Sequence, residues 1–549
     1  MWLIDTSTLK LKFVTEAEKG SYVILSHTWG DDEVSFEQFR RSDPAWLDDA
    51  RQQDGFSKIA KTCELAALKG FSYAWIDTCC IDKSSSAELS EAINSMFKYY
   101  QDAAFCIAFI SDLPTTEPLD FEFENRFPHC RWLTRGWTLQ ELIAPTHVLF
   151  YDSTWTFRGS KQDWKDLLCK ETGVDEAVLN DPTGLRLIPI AQRMSWASNR
   201  QTTRIEDMAY CLLGIFDVNM PLIYGEGRKA FIRLQEEIAK DSYDLSLFAW
   251  RQLDDSQDYR GILARSAAEF SHCRGIETWA KDGIFPIEFT FTNRGLRLET
   301  DLLDPLVAHD DLIWNLGCSF RISWAAWMSQ RWIGIYLAKT QDGFVRARPG
   351  ELFEPRGQTC QRTPPKLIYI RKMVDSIESH DIERRFERSI KVKLGRSRDS
   401  SLCITLDTFL PEGLWVENHK SFLHQGRGIN AYIRSRVSLP NKTFKHIIVA
   451  FSTMDTPICT IFYDGDYLWS QINQFLDVSD DRADFVTIDK LRNTLSIHGY
   501  SLSSRAKEII KFPELNISIP VFAELKEYTS EGGQSRFTLQ ISVLEKVGT

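Results

Sequence analysis

The sequence has no long apolar run and no cysteine spacing of the zinc-binding type. No stretch reaches the ~18 consecutive apolar residues that a membrane-spanning helix needs. The first residues, MWLIDTS, lack a basic segment followed by an apolar one, so we expect no secretory signal. The 12 cysteines include no C-x-x-C pair, and the 10 histidines follow no zinc spacing. We therefore expect reduced thiols, no structural metal and a cytoplasmic location.

Basic charge is also in short supply. The chain has 65 Lys and Arg against 76 Asp and Glu, which gives a net charge of -11. A general nucleic-acid binder would carry a basic face, and bulk attraction to anionic lipid needs an excess of cations. We therefore expect neither nucleic acid nor a membrane as a partner. The rest of the composition, 43% hydrophobic and 26% charged over 549 residues, indicates a globular chain of roughly three or four domains.

Strand-like and helix-like patterns alternate over residues 1–155. Apolar runs near 22–26, 71–76, 105–110 and 148–151 predict four strands, and helical periodicity predicts helices between them. An acidic stretch at 31–54 predicts surface, and Ser85-x-x-Glu88 predicts a capping box. Strands separated by helices pair in parallel, so the predicted fold is an open α/β sheet. Ligand crevices of such sheets lie beyond the carboxyl ends of the strands, which makes residues 26–30 and 77–83 site candidates.

The rest of the chain divides into a helical part and a β-rich part. Residues 156–258 predict a mostly helical extension, with an apolar stripe stopped by Gly214 and a loop at 219–227. Hairpin signals then predict a β-rich domain at 259–380 and a second one, or a continuation, at 381–549. The polar stretch 375–400 is the predicted joint between them. The sequence has no Walker-type glycine loop.

Three sequence blocks occur in a fixed order, YVILSHTWG at 22–30, WIDTCCIDK at 75–83 and RGWTLQELIAP at 135–145. Together they resemble the signature of the fungal heterokaryon incompatibility (HET) domain over roughly residues 20–150. RIEDMAYCLLGIFD at 204–217 and YGEG at 224–227 resemble the segment after that domain in many relatives. The resemblance implies a fungal protein of vegetative incompatibility that promotes programmed cell death after non-self recognition. It also implies self-association through the HET domain and an unknown protein trigger.

A second resemblance concerns chemistry. The HET domain looks like a distant relative of the TIR domain, which has a flavodoxin-like fold. WTLQEL at 137–142 resembles the TIR motif Trp-Cys-x-x-Glu-Leu, with Thr138 in place of the cysteine. The glutamate of that motif cleaves NAD in TIR enzymes, and it falls on Glu141. The resemblance therefore implies a possible NAD glycohydrolase with NAD as substrate and no bound cofactor.

The candidate site follows from this chemistry. Nicotinamide leaves from a cationic nitrogen and needs no protonation, so one carboxylate that stabilises the cationic sugar is sufficient. Glu141 is the predicted catalytic residue, while Asp77 is placed to bind ribose hydroxyls and Trp29 or Trp137 to stack on a ring. The full predicted substrate-binding set is Ser26, His27, Trp29, Gly30, Asp77 and Trp137. Each also has a structural interpretation: loop hydrogen bonding for Ser26 and His27, a turn or cap for Asp77, and packing for the tryptophans.

Two other functions remain open from the sequence. The first is a self-associating death-signalling module without enzymatic activity, in which Glu141 would be solvated or ion-paired. The second is a cysteine hydrolase using Cys79 or Cys80, which requires a sulfur within hydrogen-bond reach of the His27 imidazole.

Overall fold

The structure is a computed structural model, and it describes the chain except for residues 16, 42–53, 115–125, 255, 279–286, 306–310, 321–331, 341, 356–359, 388, 396–401, 411–414, 417–419, 424–429, 440, 442, 454–456, 465–502, 513–514, 516, 530–534, 544–546 and 549. The end of the predicted joint, at 396–400, lies outside the described residues. So does residue 465 of a predicted hairpin turn at 464–465.

Seven strands form the first sheet. They are β1 Trp2–Asp5, β2 Lys10–Phe13, β3 Val23–His27, β4 Tyr73–Trp75, β5 Phe105–Phe109, β6 Val148–Tyr151 and β7 Phe157–Ser160. Their order across the sheet is β2-β1-β4-β3-β5-β6-β7. The four predicted strands, β3 to β6, lie side by side and pair in parallel, as expected.

The sheet as a whole is mixed, because three unpredicted strands pair antiparallel at its edges. β1 and β2 form a hairpin that pairs with β4, and β7 pairs with β6. Each of the three has only four residues, and β2 is polar and mostly exposed. Runs this short are poorly resolved by a periodicity of two. The strand β7 extends the sheet beyond residue 155.

Helices connect and flank these strands. They are α1 Phe36–Arg40, α2 Asp54–Leu68, α3 Ser86–Asp102, α4 Arg131–Thr134 and α5 Thr138–Ile143, with a 3₁₀ helix at Phe127–His129. The chain leaves α2 through Gly70, whose φ of +85° lies in the left-handed region that glycine favours. At the start of α3 the predicted capping box is half formed. The Ser85 hydroxyl accepts from the Glu88 amide, but the Glu88 carboxylate accepts from the Asp82 amide instead.

The acidic stretch predicted as surface is partly buried. Its residues Val34, Phe36 and Phe39 belong to the apolar interior. The capping box absent from α3 occurs here, between Ser35 and Gln38 at the start of α1. Acidic neighbours hid a short amphipathic helix in this part of the sequence.

The extension after β7 is mostly helical, as predicted. It contains α6 Lys165–Thr172, α7 Glu176–Asn180, α8 Ile190–Ser195, α9 Asp207–Tyr210, α10 Leu213–Phe216 and α11 Lys229–Asp241, with 3₁₀ helices at Pro182–Leu187, Leu245–Phe248 and Ala267–Phe270. Gly214 does not stop the apolar stripe but lies inside α10. A Cβ there would meet the Cβ of Phe97 on α3 at 2.0 Å, so glycine serves close helix packing. The chain leaves α10 at Asp217, which has a φ of +57°.

The rest of the described chain is mainly antiparallel β structure. Its elements are β8 Tyr259–Arg260, β9 Ile276–Thr278, β10 Phe289–Thr292, β11 Gly295–Thr300, β12 Leu303–Pro305, β13 Leu312–Asn315, β14 Cys318–Phe320, β15 Gly334–Thr340, β16 Gly343–Ala347, β17 Cys360–Arg362, β18 Lys366–Ile370, α12 Ser376–Glu387, β19 Ile390–Leu394, β20 Cys403–Leu410, β21 Trp415–Val416, β22 Ser421–Phe422, β23 Asn430–Ser438, β24 Phe444–Ser452, β25 Ile458–Tyr463, β26 Arg505–Phe512, β27 Ile517–Thr529, β28 Ser535–Val543 and β29 Val547–Gly548. The predicted hairpins β10–β11 and β15–β16 are present.

Two apolar cores account for most of the buried side chains. The larger one contains residues from Leu3 to Ile370, so it joins the first sheet, the helical extension and the first β-rich part. The second contains residues from Ile390 to Val543. The core therefore changes between Ile370 and Ile390, a span that overlaps the polar stretch predicted as a joint.

Candidate functional site

The first two predicted site blocks follow neighbouring parallel strands. From β3 the chain passes to its neighbour β4, and then crosses to β5 on the other side of β3. Such a reversal leaves a crevice beyond the carboxyl ends of the strands. Ser26 and His27 are the last residues of β3, and Asp77 comes two residues after β4. These three side chains therefore lie at the edge of the sheet where ligands bind in folds of this kind.

Glu141 of α5 reaches the same edge. Its side chain is buried and accepts a hydrogen bond from the Ser26 hydroxyl. The buried Trp132 indole donates in turn to Ser26 Oγ at 2.7 Å. Burial is the main cause that raises the pKa of Glu141 to about 8, and the charge of Asp77 adds to it, against the opposing effect of the Ser26 hydrogen bond. Glu141 is therefore mainly protonated at neutral pH in the free protein.

The short helix that carries Glu141 is held at both ends. At its start the Arg200 guanidinium donates to the Arg135 carbonyl at 2.8 Å and to the Thr138 hydroxyl at 3.0 Å. At its end the buried Lys161 ammonium donates to the Pro145 carbonyl at 2.8 Å and to Ile143 at 3.3 Å. A cation suits the carbonyl end of a helix because the helix dipole is negative there. Both cations come from beyond residue 155, so β7 and the helical extension fix the position of Glu141.

His27, Asp77 and Trp29 form a second group beside Ser26. His27 Nε2 lies 3.0 Å from one Asp77 oxygen, and the Trp29 indole donates to the other at 2.9 Å. Burial alone would raise the pKa of Asp77, but the hydrogen bond and charge of His27, with Lys83 and Arg135, lower it well below its usual range. Asp77 is thus a carboxylate at neutral pH, and its two oxygens accept hydrogen bonds from the His27 ring and the Trp29 indole.

Glu33 and Lys58 were missed by the sequence reasoning. The Lys58 ammonium pairs with the Glu33 carboxylate and donates to the Thr28 carbonyl at 3.3 Å. The same carboxylate accepts from the Gly30 amide at 2.8 Å and lies 3.7 Å from His27 Nδ1. Glu33 therefore shapes the loop that carries His27. Its position in an acidic stretch concealed this role, and Trp132 and Arg200 gave no sequence signal either.

Trp29 lies at the open side of the site with 38% of its surface exposed. The Lys83 ammonium is 3.8 Å and the Arg135 guanidinium carbon 5.2 Å from the centroid of its ring. The Arg131 guanidinium also donates to the Trp29 carbonyl, at 3.4 Å. Two cations therefore lie over this partly exposed ring beside Asp77, and a third is bonded to the Trp29 backbone.

Two predicted substrate-binding residues, Trp137 and Gly30, form contacts outside the Ser26 and Asp77 groups. The Trp137 indole hydrogen-bonds Asp207 in the helical extension, instead of a member of the Ser26 or Asp77 groups. Gly30 contributes its amide to Glu33, and a Cβ at this position would meet only ordinary contacts. The structure thus brings together five of the seven predicted side chains or backbone groups, Ser26, His27, Trp29, Asp77 and Glu141, with Gly30 at the rim.

Cys79 and Cys80 are buried and bonded to the backbone of Ile76. The Cys79 thiol faces the Ile76 carbonyl at 4.0 Å, and the Cys80 sulfur accepts from the Ile76 amide at 3.4 Å. Burial raises the pKa of Cys79 well above its usual range, which disfavours a thiolate. Among the described residues neither sulfur bonds the His27 imidazole. This geometry lacks the contact that a cysteine hydrolase requires.

The YGEG loop at 224–227 encloses a side chain of the protein itself. The Gly225 and Gly227 amides donate to one Glu206 oxygen at 2.8 and 2.9 Å. The neighbouring Tyr224 hydroxyl donates to Asp207 at 3.1 Å, and Arg204 lies over the Tyr224 ring. Glu206, Asp207 and Arg204 therefore fix this loop through its amides and Tyr224, and the loop amides are already used.

Metal-ligand clusters and membrane-spanning helices are two further features that bear on function. In the part of the chain that the structure describes, no cluster of three His, Cys, Asp or Glu side chains is suited to hold a metal ion. Within the same residues, no helix combines the length and the apolar character needed to cross a membrane.

Comparison with known proteins identifies the first domain. Residues 22–126 match the family described as heterokaryon incompatibility protein (HET), and residues 229–279 match a domain of unknown function, DUF8212. The chain is similar to vegetative incompatibility protein HET-E-1 of Podospora anserina, with 45% identity over 252 residues. These residues are 44% of this chain but only 18% of that relative. No solved structure matches the chain. The predicted fungal HET domain protein is thus confirmed, and the matched family region includes Ser26, Trp29 and Asp77 but ends before Glu141.

Proposed function

We propose that this HET domain protein acts in vegetative incompatibility and promotes cell death by cleaving NAD at the Glu141 site. One observation carries the proposal. A glutamate is buried beyond the carboxyl end of a parallel strand, bonded to Ser26, at the point where the strand order reverses. The parallel strands β4-β3-β5-β6 follow the order 2-1-3-4, which supports the likeness to flavodoxin-like and TIR folds.

The proposed reaction needs little beyond this carboxyl group. The bond between ribose C1′ and the nicotinamide nitrogen breaks, and its electron pair leaves with nicotinamide. Water then adds its oxygen to C1′ and releases one proton, which gives ADP-ribose. The Glu141 carboxylate stabilises the cationic sugar between these two events. Arrival of the cationic nicotinamide ring favours the ionised form of Glu141, since an opposite charge nearby lowers a carboxyl pKa.

The other members of the group have supporting roles in this proposal. Asp77 stays ionised and can accept ribose hydroxyl groups, while His27 and Trp29 fix its orientation. Ser26 orients Glu141, and Trp132 orients Ser26. In this scheme the neutral donors Ser26 and Trp29 position the two carboxyl groups, which leaves the charge of each carboxylate free to act on the substrate.

The test is direct incubation of the purified chain with NAD. The products are separated by chromatography, and release of nicotinamide and ADP-ribose supports the proposal. Glu141→Gln should abolish this release, and Glu37→Gln, which changes an exposed acid on α1, should not. A chain that kills fungal cells while NAD stays intact both in vitro and in the dying cells would refute it. A self-associating module without enzymatic activity would then explain the killing.

A further inference from the structure

Two cations lie over the ring of Trp29, and a third is bonded to its backbone. Lys83 and Arg135 lie 3.8 and 5.2 Å from the ring centroid, and Arg131 bonds the Trp29 carbonyl. Burial and, to a smaller extent, the charge of Arg135 lower the pKa of Lys83, so the two cations repel each other and something must offset the cost of bringing them together. The electron-rich face of the indole does so in part, because cations are attracted to it. Trp29 therefore acts as a platform that holds positive charge in place.

Within the part of the chain that the structure describes, the charge of this group is only partly balanced. Asp77 is the acid that lowers the repulsion, but its two oxygens accept from His27 and Trp29. Among the described residues no carboxylate forms an ion pair with Lys83, Arg131 or Arg135. Glu141, the next acid, is mainly protonated in the free protein. The group therefore keeps an excess of positive charge at the mouth of the site, in a chain whose net charge is -11.

We infer that Lys83, Arg131 and Arg135, held around Trp29, bind the diphosphate of a nucleotide ligand at the mouth of the Glu141 site. A guanidinium group can donate two parallel hydrogen bonds to two oxygens of one phosphate, and a lysine ammonium adds a compact positive charge. Asp77 beside them is suited to the ribose hydroxyl groups that flank a diphosphate. The inference rests on the proposed function, and it names the part of the substrate that supplies affinity. It predicts selection for nucleotides with a diphosphate over nucleosides such as nicotinamide riboside.

Calorimetric titration of the full chain tests this binding without any cleavage. ADP is the probe, and adenosine is the comparison that lacks phosphate. We expect ADP to bind, and to bind about 10-fold or more weakly in Lys83→Gln and in Arg135→Gln, because each loses a charged hydrogen bond. Added salt should weaken ADP binding in the wild type more than in the variants. Lys61→Gln, an exposed lysine paired with Glu64 on α2, is the matched control and should bind as the wild type does.

The outcomes separate this inference from the proposed function. Unchanged ADP affinity in both variants overturns the inference. If the variants also cleave NAD with the KM of the wild type, the inference fails while the proposed function stands. Weaker ADP binding in both variants upholds the inference even if no NAD is cleaved, in which case the proposed function fails. Binding of a phosphoserine peptide to the wild type, in the absence of any ADP binding, would assign the cations to a protein partner and overturn the inference.

Discussion

Replacing Glu141 by glutamine should make the protein more stable at neutral pH while removing its activity. The pKa of Glu141 is raised from 4.5 to about 8, mainly by burial. Between these two pH values the folded state keeps a proton that the unfolded state releases. The free energy of unfolding therefore falls as pH rises through this window. Glutamine has nearly the same shape, keeps a carbonyl that accepts from Ser26, and carries no such penalty.

The size of the effect follows from the pKa difference. A pH of 7 lies about 2.5 units above the pKa of this carboxyl in the unfolded state, and each unit is worth about 1.4 kcal/mol. The free energy of unfolding is therefore lower by about 3 kcal/mol than it would be without this proton uptake. At pH 4.5 this difference vanishes. We therefore expect Glu141→Gln to stabilise the chain by up to about 3 kcal/mol at pH 7 and by little at pH 4.5. For the unit built on the larger core this is a melting shift on the order of 5 °C.

The assay compares the melting temperatures of the variant and the wild type at several pH values between 4.5 and 8. Because other groups titrate too, the informative quantity is the difference between the two proteins at each pH. Glu37→Gln is the control, since the Glu37 carboxylate is exposed and pairs with the equally exposed Arg41 just after α1. A Glu141→Gln difference that stays constant across this range would refute the burial and protonation of Glu141.

The same variant tests catalysis, because it should fold better and act worse. A carboxylate that stabilises a cationic sugar contributes several kcal/mol to lowering the barrier, so its loss should cost about 100-fold or more in rate. A variant that is stabilised as calculated and still cleaves NAD at the normal rate would refute the catalytic role. Loss of killing without any effect on NAD would instead indicate that Glu141 acts in assembly.

Three further predictions concern other residues. The kcat/KM of NAD cleavage should rise with pH, reach half of its maximum near pH 8 and level off above that, as Glu141 loses its proton in the free enzyme; a flat profile between pH 6 and 9 would contradict this. Cys79→Ala and Cys80→Ala should keep the NAD cleavage rate and the killing, while loss of both in a folded variant would revive the cysteine hydrolase. Gly214→Ala should destabilise the chain by about 1–3 kcal/mol through overpacking against the Cβ of Phe97, as denaturation measurements would reveal, and unchanged stability would contradict this close packing.

Much of the site geometry was accessible from the sequence because two simple rules apply. Parallel strands place their carboxyl ends at one edge, and this puts Ser26, His27 and Asp77 close together. The motif likeness then added Glu141. The contact between Ser26 and Glu141 joins residues 115 positions apart, which no local pattern encodes. Its prediction therefore depended on the fold class, and not on periodicity alone.

The parts that were missed depend on contacts between distant segments. Arg200 lies in the helical extension, yet it holds the start of the Glu141 helix through two hydrogen bonds. Lys161 holds the other end from just after β7. The sequence around a basic residue in a polar stretch is the same whether its side chain is solvated or buried against carbonyl groups. Only the packing of the folded chain decides which of the two occurs. Gly214 was misread for a similar reason, because its meaning depends on Phe97 of another helix.

The energetics of the site favour a functional origin over a structural one. A packed interior would be at least as stable with an apolar residue or a glutamine at position 141, because a buried carboxyl without a paired cation costs free energy at neutral pH. The chain accepts that cost at one edge of its sheet and, on the same edge, places cations around Trp29. The buried carboxyl and the clustered cations each cost free energy in the free protein. Both are expected at one crevice if a ligand with a cationic part and an anionic part binds there and offsets both costs. A dinucleotide has a cationic nicotinamide for Glu141 and a diphosphate for Lys83 and Arg135, so it relieves both at once.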